Sequence, residues 1–164
     1  MLPFKKILIP TDFSEPALEA LHAAAELARH FSAALLVVTI VPPIPVPTRP
    51  IAGSTLAEPE FNPGFDLTSY LIELTDAAKE GLENLVQEHV PQGMAVQYFV
   101  SSGQPEQEIV KIARQEKADL IVIATHGQQG WRRFLFGSVA EKVVRWAERP
   151  VLVIHGPLEG EAAP

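Results

Sequence analysis

The run Ala124-Thr125-His126-Gly127, followed by nine residues and then Gly137-Ser138, is the part of this chain best suited to chemistry. It describes a loop that can surround a phosphate chain. Gly127 lets backbone approach a ligand with no Cβ in the way, and Gly137 does the same just before a helix. The first N–H groups of that helix lack internal partners, and the positive end of its dipole favours an anion there. The Ser138 hydroxyl adds one more donor. Ser138-Val-Ala-Glu141 also reads as a capping box, in which Ser138 serves its own helix and Glu141 reaches back. His126 is expected to orient the loop by hydrogen bonding, because no Asp or Ser partner stands near it in sequence. Arg132 and Arg133, inside the nine-residue stretch, read either as phosphate neutralisers or as a solvated face.

The elements that must position this loop follow from alternation between short apolar runs and longer segments of helical period. Lys6-Ile-Leu-Ile-Pro10 reads as a strand buried on both faces, as in parallel sheets. Ser14 can cap the next helix, Pro16 suits its first turn, and Leu18, Leu21, Ala25 and Ala28 give one apolar stripe. Leu35 to Val41 is a second strand. Leu67, Leu71, Leu74, Ala78, Leu82 and Leu85 mark a long amphipathic helix ending before Pro91. A third strand spans Ala95 to Val100, and Pro105 opens a helix carrying Ile109, Ile112 and Ala113 inward. Asp119 to Ala124 is a fourth strand, Ser138 to Ala147 a last helix and Val151 to Ile154 a fifth strand. Seven prolines between Pro42 and Gly64 make a regular helix or an interior strand implausible there. Residues 42–65 are therefore expected to form an irregular excursion, and residues 156–164 a loose tail after a domain spanning 1–155.

Right-handed crossovers turn this order into a single-domain, doubly wound, five-stranded parallel sheet of order 3-2-1-4-5, with helices on both faces. Ligands of such sheets sit outside the carboxyl ends of the strands, where the winding reverses. That rule selects Pro10-Thr11-Asp12 after the first strand, Ile40-Val41 after the second and the Ala124–Gly127 loop after the fourth.

Composition narrows the function classes. The 164 residues suit one domain, and the formal charge of −7 argues against nucleic acid, whose phosphates are held by clustered Lys and Arg. A small phosphorylated ligand stays compatible with that charge. The absence of cysteine excludes disulfides, thiolate catalysis and Cys-based zinc sites. His22, His30, His89 and His155 lie at no ligand spacing, so no metal site is expected on them. The most apolar stretch, Ala33 to Val41, is far shorter than the roughly 18 residues a membrane span requires. A cytoplasmic protein is the expectation. No nucleophile–base set, paired carboxylates or GxxxxGK[ST] motif is present.

At these residues the chain resembles the universal stress protein family. The family's nucleotide pattern is Gly, two residues, Gly, nine residues, Gly, then Ser or Thr. Here Ala124, two residues, Gly127, nine residues, Gly137 and Ser138 match it everywhere except the first glycine. The entry into Pro10-Thr11-Asp12, the stretch ADLIVIATHG and the run GSVAEKVVRWAERPVLVI are similar as well. The resemblance implies that Asp12 and the backbone around Thr11 and Ile40 hold an adenosine, and that Ala124, Gly127, Gly137, Ser138 and Val139 hold its phosphates. ATP or AMP is the ligand it implies, with Mg2+ accompanying a triphosphate. Ala124 is the departure: with negative φ its methyl is tolerated, whereas a positive φ would cost roughly 1 kcal/mol or more.

Three functions follow. The first is an adenine-nucleotide-binding module in stress response. The second is a family member that has lost nucleotide binding and acts as a dimeric interaction protein. The third is a slow ATPase or autophosphorylating enzyme, for which the sequence offers no general base. The last strand is short and wholly apolar, so it is expected to pair across a two-fold axis as a homodimer.

Overall fold

The computed structural model describes residues 3–43, 48–50, 57–59, 66–125 and 137–155. Its elements are β1 (Lys6–Pro10), α1 (Glu15–Phe31), β2 (Ala34–Val41), β3 (Thr48–Pro50), β4 (Ala57–Pro59), α2 (Leu67–His89), β5 (Val96–Ser102), α3 (Pro105–Gln115), β6 (Leu120–Thr125), α4 (Ser138–Trp146) and β7 (Val151–His155). Five strands form one sheet in the order β5-β2-β1-β6-β7, all parallel. Numbering those five alone gives the expected 3-2-1-4-5.

Both faces of the sheet are covered, and the side-chain alternation of the strands divides the core in two. Ile7, Ile9, Leu35, Val37 and Val122 pack with Ala20, Leu21 and Ala24 of α1 and with Leu82 and Val86 of α2. Leu8, Leu36, Val38, Ile121 and Ile123 point the other way, onto Ile109, Ile112 and Ala113 of α3 and Ala140 and Val143 of α4. Consecutive residues of β1 thus serve opposite layers, which is why its apolar run is unbroken. At the edge away from the strands' carboxyl ends, the Asp119 carboxylate accepts the N–H groups of Lys5 and Lys6 at 2.8 and 3.0 Å and fastens β6 to β1.

Helix ends follow their local chemistry. Ser14 caps α1 by accepting the Ala17 N–H, and Pro16 lies in its first turn. Asp66 caps α2 by accepting the N–H groups of Thr68 and Ser69, and the Ser69 hydroxyl, with those two N–H groups, holds its carboxyl below the ordinary carboxylate range.

Two expectations change. The proline-rich excursion contains a small antiparallel ladder, with β3 paired to β4 through Thr48–Pro59, Arg49–Glu58 and Pro50–Ala57. Prolines fit there because the ladder has two strands only, so a missing N–H can face outward. The α2 stripe exists as expected, but its full burial begins at Leu82. Leu67, Leu71, Leu74 and Ala78 are only half-buried among the described residues.

Candidate functional site

The sheet winds away in opposite directions from β1 and β6, so a crevice opens above their carboxyl ends. Pro10 and Thr11 close β1, Ile40 stands near the end of β2 and Ala124 near the end of β6. Gly137, Ser138 and Val139 begin α4. These residues and Asp12 line one cleft of about 440 Å3, within the roughly 300–1,000 Å3 range of ligand pockets. The structure thus brings eight of the nine expected site residues together. The ninth, Gly127, lies outside the described residues, as do His126, Trp131, Arg132, Arg133, Phe134 and Phe136.

Sequence reasoning missed Ser14, Ala17, Pro105, Ile109, Ile123 and Ala140, which complete the wall. The signal for Pro105 was present, since it opens a helix straight after the third strand of the sheet, at the same edge. Ala17 and Ala140 gave none, because a small helix residue facing a ligand looks the same as one facing the core.

The turn after β1 is held by its own side chains. The Thr11 N–H donates to the Val38 carbonyl at 2.8 Å, and the buried Thr11 hydroxyl accepts the Phe13 N–H at 3.0 Å. One carboxylate oxygen of Asp12 accepts both the Ser14 N–H and the Ser14 hydroxyl. Asp12 therefore acts in the turn as well as lining the cleft, and the Ser14 oxygen passes the chain on to the cap of α1. At the far end of β6, the Thr125 hydroxyl lies 2.8 Å from His155 Nδ1 and ties that strand to β7.

The start of α4 differs from the sequence expectation. The capping box is not formed: Gly137 is the N-cap, no side chain among the described residues caps the helix, and Ser138 already lies in its first turn. Glu141 bonds Arg145 at 2.9 Å, one turn further on, instead of reaching back. A glycine cap leaves the first-turn N–H groups to another acceptor. Gly137 has φ −54° and ψ 146°, so its conformation does not require glycine. An added Cβ would meet no described heavy atom within 4 Å, beyond its chain neighbours.

Ala124 is equally unstrained. It sits inside β6, in register with Ile154, and is absent from the residues of positive φ. It packs against the layer formed with α1 and α2, whereas Ile123 before it faces α3 and α4.

Two carboxylates stand behind the α3 side of the cleft. Glu106, in the first turn of α3 and 5% exposed, bonds Lys142 of α4 at 2.6 Å. That bond, with help from its own backbone N–H, holds its carboxyl below the ordinary 4.5. Glu108 accepts the Ser101 hydroxyl at 2.6 Å and pairs with Lys111, and both lower its titration. Among the described residues no group of His, Asp or Glu is arranged to hold a metal ion. No described helix is long and apolar enough to cross a membrane.

The comparisons with known proteins agree with this architecture. The sequence profile of the Universal stress protein family matches residues 3–155. The chain belongs to that family. It is 36% identical to universal stress protein MJ0531 of Methanocaldococcus jannaschii, over 94% of this chain and 84% of that one. Identity to universal stress protein MJ0577 of the same organism is 32%, over 92% of this chain and 94% of the other. The solved structure of MJ0577 superposes with a TM-score of 0.69 over 95% of this chain and 99% of its own, at 28% identity. The Archaeoglobus fulgidus universal stress protein, solved in complex with dAMP, shares the fold with a TM-score of 0.58 and 23% identity, over 94% of this chain and 99% of its own.

Proposed function

We propose that this universal stress protein binds an adenine nucleotide, ATP or AMP, in the cleft above β1 and β6 and works as a regulatory binding module in stress response. The observation that carries the reading is the uncapped start of α4, open to a cleft whose other wall is the Thr11–Asp12 turn. In this reading Asp12 and the backbone at Thr11 and Ile40 hold the nucleoside. The first turn of α4, from Gly137 through Val139, takes the phosphates, together with Gly127 and with Mg2+ when the ligand is a triphosphate. The Archaeoglobus fulgidus protein, which shares this fold, was solved in complex with dAMP.

The alternative of lost nucleotide binding rested on Ala124. Its extended backbone and its packing against the α1–α2 layer remove that motive. The one hydroxyl–carboxylate pair among the described cleft residues, Ser14 with Asp12, is spent on the turn and the cap of α1, so binding is the reading the cleft supports over catalysis. The protein is further proposed to pair as a homodimer along β7. That strand is a sheet edge, and Leu152 on it and Val144 and Trp146 on the neighbouring α4 are exposed.

The test is a thermal melt with ATP, AMP and GTP, each with Mg2+, on the native protein and on Gly137→Asp. Ligand at 100 times its dissociation constant adds about 2.7 kcal/mol, a shift of several degrees at this chain length. Asp at an N-cap position bonds the first-turn N–H groups itself, so the variant keeps its fold while losing the nucleotide shift. An undiminished shift in the variant removes the first turn of α4 from the site, and no shift with any adenine nucleotide removes the function.

A further inference from the structure

Phe13 is the one residue of the Thr11–Ser14 turn that does not line the cleft, since Thr11, Asp12 and Ser14 all do. Its backbone has φ 65°, in the left-handed region that bulky side chains rarely enter. Such strain persists only where the surroundings over-determine it. Part of that determination is local, in the Thr11 hydroxyl that accepts the Phe13 N–H. The Asp12 carboxylate, bonded to the Ser14 N–H and hydroxyl, brackets the residue as well, and a distant element adds a contact of its own. The edge of the Phe13 ring rests on Gly81, in the interior of α2, and a Cβ on Gly81 would lie 3.2 Å from both Cε1 and Cζ of that ring.

Glycine is the poorest residue for a helix interior apart from proline, so Gly81 is an anomaly by the rules of helix formation. An aromatic residue in the left-handed region is a second anomaly. One contact accounts for both: the helix gives up its side chain at position 81, and the ring takes the space.

We propose that Phe13 is a positioning residue, whose ring seated on Gly81 holds the Thr11–Ser14 turn in the conformation that presents Asp12 to the nucleotide. The proposal rests on the nucleotide reading of the cleft. It makes α2 a structural partner of the site, although no residue of α2 lines it. Phe13 is 46% exposed, so the ring contributes little to the core and its position is free to follow what it rests on. A methyl at position 81 would lift the ring by a few tenths of an ångström and carry the turn with it.

The experiment compares the native chain with Gly81→Ala, Phe13→Ala and the double variant. It measures the melting temperature without ligand, AMP affinity by calorimetry, and the amide chemical shifts of Asp12, Phe13 and Ser14. Alanine is the better helix former, so Gly81→Ala keeps or raises the melting temperature. Affinity for AMP falls by about five-fold and the three amides shift. In the Phe13→Ala background, the Gly81→Ala change costs no further affinity, because the ring that transmits it is gone. A role in stability alone moves the melting temperature and leaves affinity untouched, and that result overturns the proposal. If the native chain binds no adenine nucleotide, the reading of the cleft fails; unmoved amides in Gly81→Ala then refute the positioning as well, and shifted ones support it.

Discussion

Lys142→Met isolates the ion pair that joins the two helices behind the cleft. Glu106 is 5% exposed and its carboxylate depends on Lys142 Nζ at 2.6 Å for compensation. Removing one partner of a fully buried pair costs about 3–5 kcal/mol, because the remaining charge is left uncompensated. The Lys142 side chain is 47% exposed, so water enters the space it leaves and the figure is nearer to about 2 kcal/mol. In a domain of this length each kcal/mol moves the midpoint by roughly 2–4 °C, so the expected loss at pH 7 is about 4–8 °C. The pH profile carries a second check. The Glu106 carboxyl titrates below its ordinary 4.5 in the folded protein, so the pair stabilises fully above 4.5 and its contribution is lost as pH falls through the lowered value. The native and variant melting curves therefore converge in acid. A midpoint within about 1 °C of the native one at pH 7, or a gap that persists below the titration of Glu106, would refute the reasoning.

Two further outcomes follow from residues already placed. Ala124→Gly leaves AMP affinity within about two-fold of the native value, as the native methyl packs against the core layer, and lowers stability by roughly 0.5–1 kcal/mol from added chain entropy. Calorimetric titration and a chemical melt read the two effects separately, and a large gain in affinity would show that the methyl obstructs the site. Leu152→Lys places a charge on the open edge of β7, where Leu152 is 39% exposed, and is expected to turn a dimer into folded monomer in sedimentation. A native chain that sediments as a monomer would end the dimer proposal.

The fold was legible because the three central strands β1, β2 and β6 are buried on both faces. Unbroken runs such as Ile7-Leu8-Ile9 and Leu35 to Val38 have no reading in a half-exposed antiparallel sheet, and the intervening helical stripes fix the crossovers. The cleft was legible for a related reason: topology alone places the ends of β1, β2 and β6 together. What sequence could not give was the partner of each polar side chain. Ser138 and Glu141 satisfy a capping pattern, yet Glu141 finds Arg145 and the N-cap position falls on Gly137. The spacing is the same in both arrangements, and only the competition between partners decides. The Glu106–Lys142 pair spans 36 residues and two helices, so no local rule could reveal it. The ladder β3–β4 escaped because proline density predicts the absence of interior strands and says nothing of an isolated pair.

A chain of charge −7 can still offer an anion a favourable place, because local charge governs at contact distance. Beyond about 8 Å, physiological salt screens exposed charges from one another. Among the described residues lining the cleft, Asp12 is the one ionisable side chain, and one of its oxygens is engaged by Ser14. The other carboxylates in the first turns of α3 and α4 that could oppose a phosphate are each held by a cation: Glu106 by Lys142, Glu108 by Lys111 and Glu141 by Arg145. Glu141 would be the most harmful of them if it reached back to the helix start as a capping box requires. Its bond to Arg145, one turn along, draws its charge away from that end and leaves the N–H donors after Gly137 to a ligand. The same sequence pattern thus had two incompatible uses, stability of the helix start or reception of an anion, and the Glu141–Arg145 bond leaves the first one unmade.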